Sequence, residues 1–307
     1  MYFKKLLRRI KVKRIVKISS ILFSFITIAL FLTGCKNQDS QKSNKIDVVT
    51  TTNFYAEPAK AVLGNHGKVK YIVKPGTNPH DFNPKNSDAV LASKATVVVE
   101  NGLGYDEWMD KLDSNNGNNL TVINVGKLMN KKNGDNEHIW YDPNTMSKLA
   151  DKLAATYSKL QPKNKKVFEK NAEAYKNKMK KNQTLVKELA TKSKHQNVAV
   201  SEPVFNYSLK AMGYKVIDSS FANAIEKDVD PSPKDLVKLR NDIKHHKVAF
   251  FVENIQEENK TISGLAELAK KNNVPVVKVT ETVPAGTNYF DWMNSQYQQV
   301  KKIQDKD

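Results

Sequence analysis

A chain of 307 residues with 39% hydrophobic and 27% charged residues is long and apolar enough for one large or two medium packed domains, which excludes a disordered chain. Its formal charge of +18 is unevenly spread: residues 1–34 hold eight Lys or Arg and no acid, which leaves +10 for residues 35–307. There the lysines alternate with acids, as in K-N-K-K-V-F-E-K-N-A-E-A-Y-K, a pattern of solvated helix faces. No aromatic-interleaved basic motif accompanies it, which argues against a nucleic-acid groove.

In chain order, residues 1–34 have the shape of a signal peptide. A basic stretch, M-Y-F-K-K-L-L-R-R-I-K-V-K-R-I-V-K, leads into an apolar run from Ile21 to Leu32, shorter than the roughly 20 residues a membrane-spanning helix needs. Leu32-Thr33-Gly34-Cys35 then presents the only cysteine of the chain, which can form no internal disulfide. This stretch resembles the lipobox of bacterial lipoproteins, which implies that Cys35 carries lipid and holds the chain on a membrane without spanning it. Residues 35–45 nearly lack apolar side chains and read as a flexible tether.

From Ile46 onward strands and helices alternate. I-D-V-V-T-T-T, V-K-Y-I-V and T-V-V-V-E read as buried strands, separated by the amphipathic stretches F-Y-A-E-P-A-K-A-V-L and S-D-A-V-L-A-S-K-A and followed by Y-D-E-W-M-D-K-L. Such βα units predict a parallel sheet. Residues 164–194 contain neither Gly nor Pro and are rich in Lys, Glu, Ala and Leu, which predicts one long helix of about 45 Å. Beyond it N-V-A-V-S, Y-K-V-I-D, V-A-F-F-V and V-P-V-V-K-V-T resume the alternation. The fold class predicted is α/β: an N-terminal lobe at 46–163 and a C-terminal lobe at 195–307, each with a mostly parallel central sheet flanked by helices, joined by the rigid connector helix.

Ligands of open α/β sheets bind beyond the carboxyl ends of the strands, so titratable residues at such ends are the candidates for chemistry. P-H-D-F-N-P follows the second strand and places His80 there, with Asn83 and Pro84 as expected N-cap and first residue of the next helix. E-H-I-W-Y-D-P repeats the arrangement, with His138 ahead of Asp142 and Pro143. In the second half, Glu202 ends N-V-A-V-S and Glu281 ends V-V-K-V-T. Taken singly, each has a bland alternative as a capping or solvated side chain. Together, two imidazoles and two carboxylates form a candidate site for a divalent first-row metal. His66, His195, His245 and His246 are assigned to the surface, whereas Tyr105, Trp108 and Trp140 are either core or walls of the site.

The lipobox, P-H-D-F-N-P, N-G-L-G-Y-D-E-W-M-D-K-L, E-H-I-W-Y-D-P, S-E-P-V-F-N-Y and T-E-T-V-P-A-G-T-N-Y-F-D-W-M occur in this order. In this the chain resembles the zinc and manganese substrate-binding lipoproteins of bacterial ABC importers, also called lipoprotein receptor antigens, from about Ile46 to its end. The resemblance implies two α/β lobes with one metal ion held between them by His80, His138, Glu202 and Glu281. It also implies delivery to an ABC permease in the cytoplasmic membrane and a location on the extracytoplasmic face. Many relatives have aspartate at the position of Glu281, and many zinc receptors have histidine at that of Glu202. The residue set leaves Mn(II) and Zn(II) both open, and argues against Cu(I) because it lacks a thiolate. A surface adhesin with a structural metal is a second reading. A secreted metallohydrolase is a third, weakened by the lack of H-E-x-x-H and of a nucleophile elbow.

Overall fold

The computed structural model describes residues 45–77, 82–113, 120–257 and 259–306. The expected signal peptide, tether, Cys35 and His80 lie outside the described residues. Residues from Lys45 to the end form one compact unit.

The first sheet is built on β1 (Ile46–Thr52), flanked by β2 (Gly67–Val73) on one side and by β3 (Val97–Glu100) and β4 (Thr121–Asn124) on the other, in the order β2-β1-β3-β4. Every pairing is parallel, with Val48 opposite both Val69 and Val97, and Val98 opposite Val122. The β-branched run of β1 suits this place, since a central parallel strand is covered on both faces and needs apolar residues throughout. Helices α1 (Asn53–Leu63), α2 (Asn86–Ala92) and α3 (Trp108–Asp113) make the connections, and the short α4 (Val125–Leu128) follows β4. Next comes α5 (Thr145–Leu160).

The second sheet repeats the plan. Strands β5 (Asn197–Val200), β6 (Lys215–Val216), β7 (Phe251–Asn254) and β8 (Val276–Val279) lie in the order β6-β5-β7-β8, again all parallel. Helices α7 (Asn206–Ala211), α8 (Ser219–Glu226), α9 (Pro233–Lys244), α10 (Lys260–Lys271) and α11 (Tyr289–Gln304) surround it. In both sheets the chain reverses its direction of strand addition after the second strand, so each has a crevice beyond its first and third strands, at their carboxyl ends.

Between the two sheets in sequence runs α6 (Lys165–Lys192), whose 28 residues make a rod of about 42 Å. It buries Phe168, Ala172, Tyr175, Met179, Leu185, Val186 and Leu189, and packs on α5 of the first lobe and α11 of the second. Asn182 on the same stripe donates to the Phe290 carbonyl (2.9 Å) and accepts from Asn294 (2.8 Å). One rigid element therefore touches both lobes. An aromatic cluster does the same: Phe54 of α1 stacks on Trp140 (4.6 Å), and Tyr141 meets Trp292 of α11 edge-on (5.4 Å).

Two helix starts differ from expectation. The helix after residue 84 begins at Asn86, not at Pro84: Lys85 is the N-cap, and its N–H donates to the Asp88 carboxylate at 2.8 Å. The Asp88 N–H in turn donates to the Lys85 carbonyl (2.9 Å), so the helix start is fixed two residues later than an Asn83 cap would fix it. Likewise α5 begins at Thr145, because the Asp142 side chain accepts the Asn144 N–H (2.9 Å) in a turn of its own before the helix starts.

Candidate metal centre

His138 sits on the loop between α4 and α5, as the residue that caps a single 3-10 turn at Ile139–Tyr141. Its side chain is fully buried. Asn136, two residues earlier, fixes the ring: its Oδ1 accepts both the His138 backbone N–H and the Nδ1–H, each at 2.9 Å. The amide of Asn136 is itself oriented, because its nitrogen donates to the Pro203 carbonyl of the second lobe at 2.7 Å. With Nδ1 holding the proton, the lone pair resides on Nε2. Nε2 faces Glu226 Oε1 at 3.6 Å and Glu281 Oε1 at 3.8 Å.

Glu281 lies two residues past β8 and is 4% exposed. Tyr105 donates its hydroxyl to Glu281 Oε1 (3.1 Å), and Trp140 donates its indole N–H to the Glu281 carbonyl (3.1 Å). Both aromatics come from the first lobe, so the carboxylate is held from across the cleft. Burial, and next the nearby Glu281 carboxylate, push the Tyr105 hydroxyl well above its ordinary pKa, which keeps it a donor.

Glu202 lies two residues past β5, at the start of the short turn Pro203–Phe205, and is also buried. Asn254, the last residue of β7, donates to its Oε2 at 2.7 Å. Burial pushes the carboxyl up to about 8, further raised by the carboxylates of Glu226, Glu281 and Glu257 and opposed by the Asn254 hydrogen bond. Three glutamates of the second lobe thus crowd one small region facing an imidazole of the first. Among the described residues, Glu137, His138 and Glu226 also place ligand atoms all within 4.8 Å of one another.

Of the four residues singled out in the sequence, His138 and Glu281 meet, Glu202 lies near enough to Glu281 and Glu226 to feel their charge, and His80 lies outside the described residues. Tyr105 and Trp140 wall the centre, whereas the half-buried Trp108 packs on Phe82 (4.9 Å) at the edge of a hydrophobic cluster. His195, His245 and His246 are exposed. His66 departs from its surface assignment: it is half-buried, with its ring edge-on to Phe168 at 5.3 Å, because Phe168 leads the buried stripe of α6. Sequence reading missed Glu226, Glu137, Asn136 and Asn254. Glu226 ends a helix and is followed by Lys227 and Asp228, a context that looks like solvated surface.

Fold and centre together define a two-lobed α/β protein whose cleft gathers carboxylates around a buried histidine. The family model described as ZnuA, zinc-uptake complex component A periplasmic, matches residues 48–303, and the chain belongs to that family. Among curated proteins, the zinc-binding lipoprotein AdcA of Streptococcus pneumoniae is 27% identical over 95% of this chain, which spans 62% of the length of AdcA. The manganese ABC transporter substrate-binding lipoprotein PsaA of Streptococcus pneumoniae is 26% identical over 90% of this chain and 95% of its own. Among solved structures, the periplasmic zinc binding protein TroA from Treponema pallidum superimposes with a TM-score of 0.70 at 19% identity, over 85% of this chain and 99% of that one. This last likeness establishes the two-lobe fold.

Proposed function

We propose that the cleft binds one Mn(II) or Zn(II) ion as cargo through His80, His138, Glu202 and Glu281. The chain is the extracytoplasmic substrate-binding component of an ABC importer for a divalent transition metal, a reading supported by the family, described as a zinc-uptake component, and by PsaA, named a manganese ABC transporter substrate-binding lipoprotein. Residues 1–34 are read as the signal peptide, 35–45 as the tether with lipid on Cys35, and 46–163 and 195–307 as the lobes on either side of the connector at 164–194. The partner is a permease in the cytoplasmic membrane, and the protein has no chemical turnover of its own.

The observation that carries this reading is the lone pair of His138 Nε2, aimed from one lobe at two carboxylates of the other by a tautomer that Asn136 sets. Imidazole nitrogen and carboxylate oxygen are the donor types that Zn(II) and Mn(II) accept, and a second-layer acceptor on the other ring nitrogen is the usual companion of a ligating histidine. Relatives named for zinc and for manganese match the chain almost equally, at 27% and 26% identity.

The test uses the full-length chain in detergent, stripped with a chelator and titrated with Mn(II) and with Zn(II). About one ion per chain is expected, lost in His138→Ala. Uptake of neither metal by the wild type, or unchanged affinity in His138→Ala, refutes the reading.

A further inference from the structure

Glu226 has no counterpart in the four-residue set read from the sequence, yet its carboxylate approaches His138 more closely than that of Glu281 does. We propose that Glu226 is a further ligand of the transported ion and the residue that tilts the centre toward Mn(II) over Zn(II), an inference that rests on the reading of the cleft as a metal receptor.

The first argument is distance. Two donor atoms bound to one ion at about 2.1 Å lie roughly 3.0–3.4 Å from each other, according to whether the angle between them is octahedral or tetrahedral. Glu226 Oε1 and His138 Nε2 are 3.6 Å apart, so a shift of a few tenths of an ångström puts both on one ion. A hydrogen-bonded pair would be closer, near 2.8 Å. The separation is therefore too long for a hydrogen bond and only slightly longer than that of two ligands on one ion.

The second argument is placement. Glu226 is the last residue of α8, where the helix carbonyls present partial negative charge, and only 9% of its side chain is exposed. It shares this region with Glu202 and Glu281, and lies near enough to Glu202 to act on it electrostatically. A cation brought to this spot is favoured both by the helix end and by the neighbouring carboxylates. The ion that His138 and Glu281 face supplies that charge.

The third argument is chemistry. Zn(II) is satisfied by four ligands and, by intrinsic affinity, outcompetes Mn(II) at a generic nitrogen and oxygen site. Selection of Mn(II) therefore depends on geometry and donor type. A third carboxylate, able to bind through one or both oxygens, raises the coordination number above four with hard donors, which suits Mn(II) and adds little for Zn(II).

The experiment measures both affinities on the detergent-solubilised, chelator-stripped full-length chain. Free Mn(II) is read by its electron paramagnetic resonance signal, and Zn(II) by competition with a chromophoric chelator. Glu226→Gln keeps the shape of the side chain and is expected to weaken Mn(II) at least about tenfold and Zn(II) no more than about threefold. Glu226→Asp, which keeps the charge on a shorter arm, recovers part of the Mn(II) affinity. Glu257→Gln removes a nearby negative charge that also acts on Glu202, without removing a proposed ligand, and leaves the Mn(II)-to-Zn(II) ratio unchanged. Thermal melts of each stripped variant establish that it is folded, and if Glu226→Gln is not, Glu226→Asp decides. The inference is overturned if both metals weaken equally or neither changes. Wild-type protein that binds neither ion refutes the receptor reading itself, whereas wild-type binding with an indifferent Glu226→Gln refutes only the role of Glu226.

Discussion

The strongest perturbation to make is Glu202→Gln, because it separates what a ligand does for binding from what it does for stability. In the metal-free protein the Glu202 carboxyl is pushed up to about 8 from an ordinary 4.5, chiefly by burial. The unfolded chain ionises this group near pH 4.5, so between pH 4.5 and 8 the folded state binds the extra proton and the unfolded state does not. Stability from this group is therefore complete below pH 4.5 and is lost as pH rises toward 8. At pH 7 the gap corresponds to about 2.5 pH units, or about 3 kcal/mol. At pH 5 it is about 1 kcal/mol. Glutamine has the same shape and no charge, and its amide oxygen still accepts from Asn254 Nδ2. The stripped variant should thus melt roughly 6–12 °C above the stripped wild type at pH 7, and only about 2–4 °C above it at pH 5. Added Mn(II) or Zn(II) at a hundred times Kd should stabilise the wild type by about 2.7 kcal/mol and the variant far less. Circular dichroism melts at the two pH values, with and without metal, provide the assay. A variant that melts lower than wild type at pH 7, an advantage independent of pH, or an undiminished metal-induced shift would refute the reasoning.

Further outcomes follow from the same geometry. Asn136→Ala removes the acceptor that sets the His138 tautomer and should weaken metal binding by about 10–100-fold, as measured by competition; unchanged affinity would show that the ring needs no such hold. Metal uptake at pH 7 should release protons, because Glu202 starts largely protonated and must bind ionised, and affinity should rise with pH up to about 8. Calorimetry in buffers of different ionisation enthalpy reads that release, and its absence between pH 6.5 and 7.5 would contradict the assignment of Glu202. Cys35→Ser should move the protein from the membrane fraction to the soluble fraction of fractionated cells; retention on the membrane refutes the lipid anchor.

Much of the fold was legible because its signals are local. The stretch that became α6 lacks Gly and Pro, so little competes with a helix. The valine-rich runs of β1 and β3 announce strands covered on both faces. Where the sequence misled, a nearby side chain outbid a local rule: Asp88 and Asp142 hold backbone donors that would otherwise have been satisfied by a cap one or two residues earlier. Strand β4 went unpredicted because Thr121–Asn124 is four residues long with only Ile123 buried, too short a run to show a period. The centre was half legible for a related reason. His138, Glu202 and Glu281 follow strands or precede helix starts and can be found by asking what lies at such ends. Glu226 ends a helix, and only the packing of α8 against the turn after β5 brings it to the cleft.

The residues around the ligands, most of them unmarked by any sequence pattern, have a shared role, which is to tie the ligand-bearing loops to one another, several of them across the cleft. Asn136 joins His138 to the Pro203 carbonyl beside Glu202, and Tyr207 donates back to the Asn136 carbonyl at 2.7 Å. Trp140 binds the Glu281 carbonyl and Tyr141 the Thr280 carbonyl, while Glu57 of α1 accepts the Tyr289 N–H at the start of α11. Gln256 links the loop after β7 to Thr282 through both ends of its amide. Each such bond contributes about 1 kcal/mol net, and several of them together fix where the donor atoms stand before any ion arrives. Holding mutually repelling carboxylates in place is unfavourable by itself, as the raised pKa of Glu202 records. The gain is that an arriving ion meets donors already ordered, so less of the binding free energy is spent on arranging them. The signal for a receptor of this kind therefore lies as much in the Asn, Trp and Tyr residues around the ligands as in the histidines and glutamates themselves.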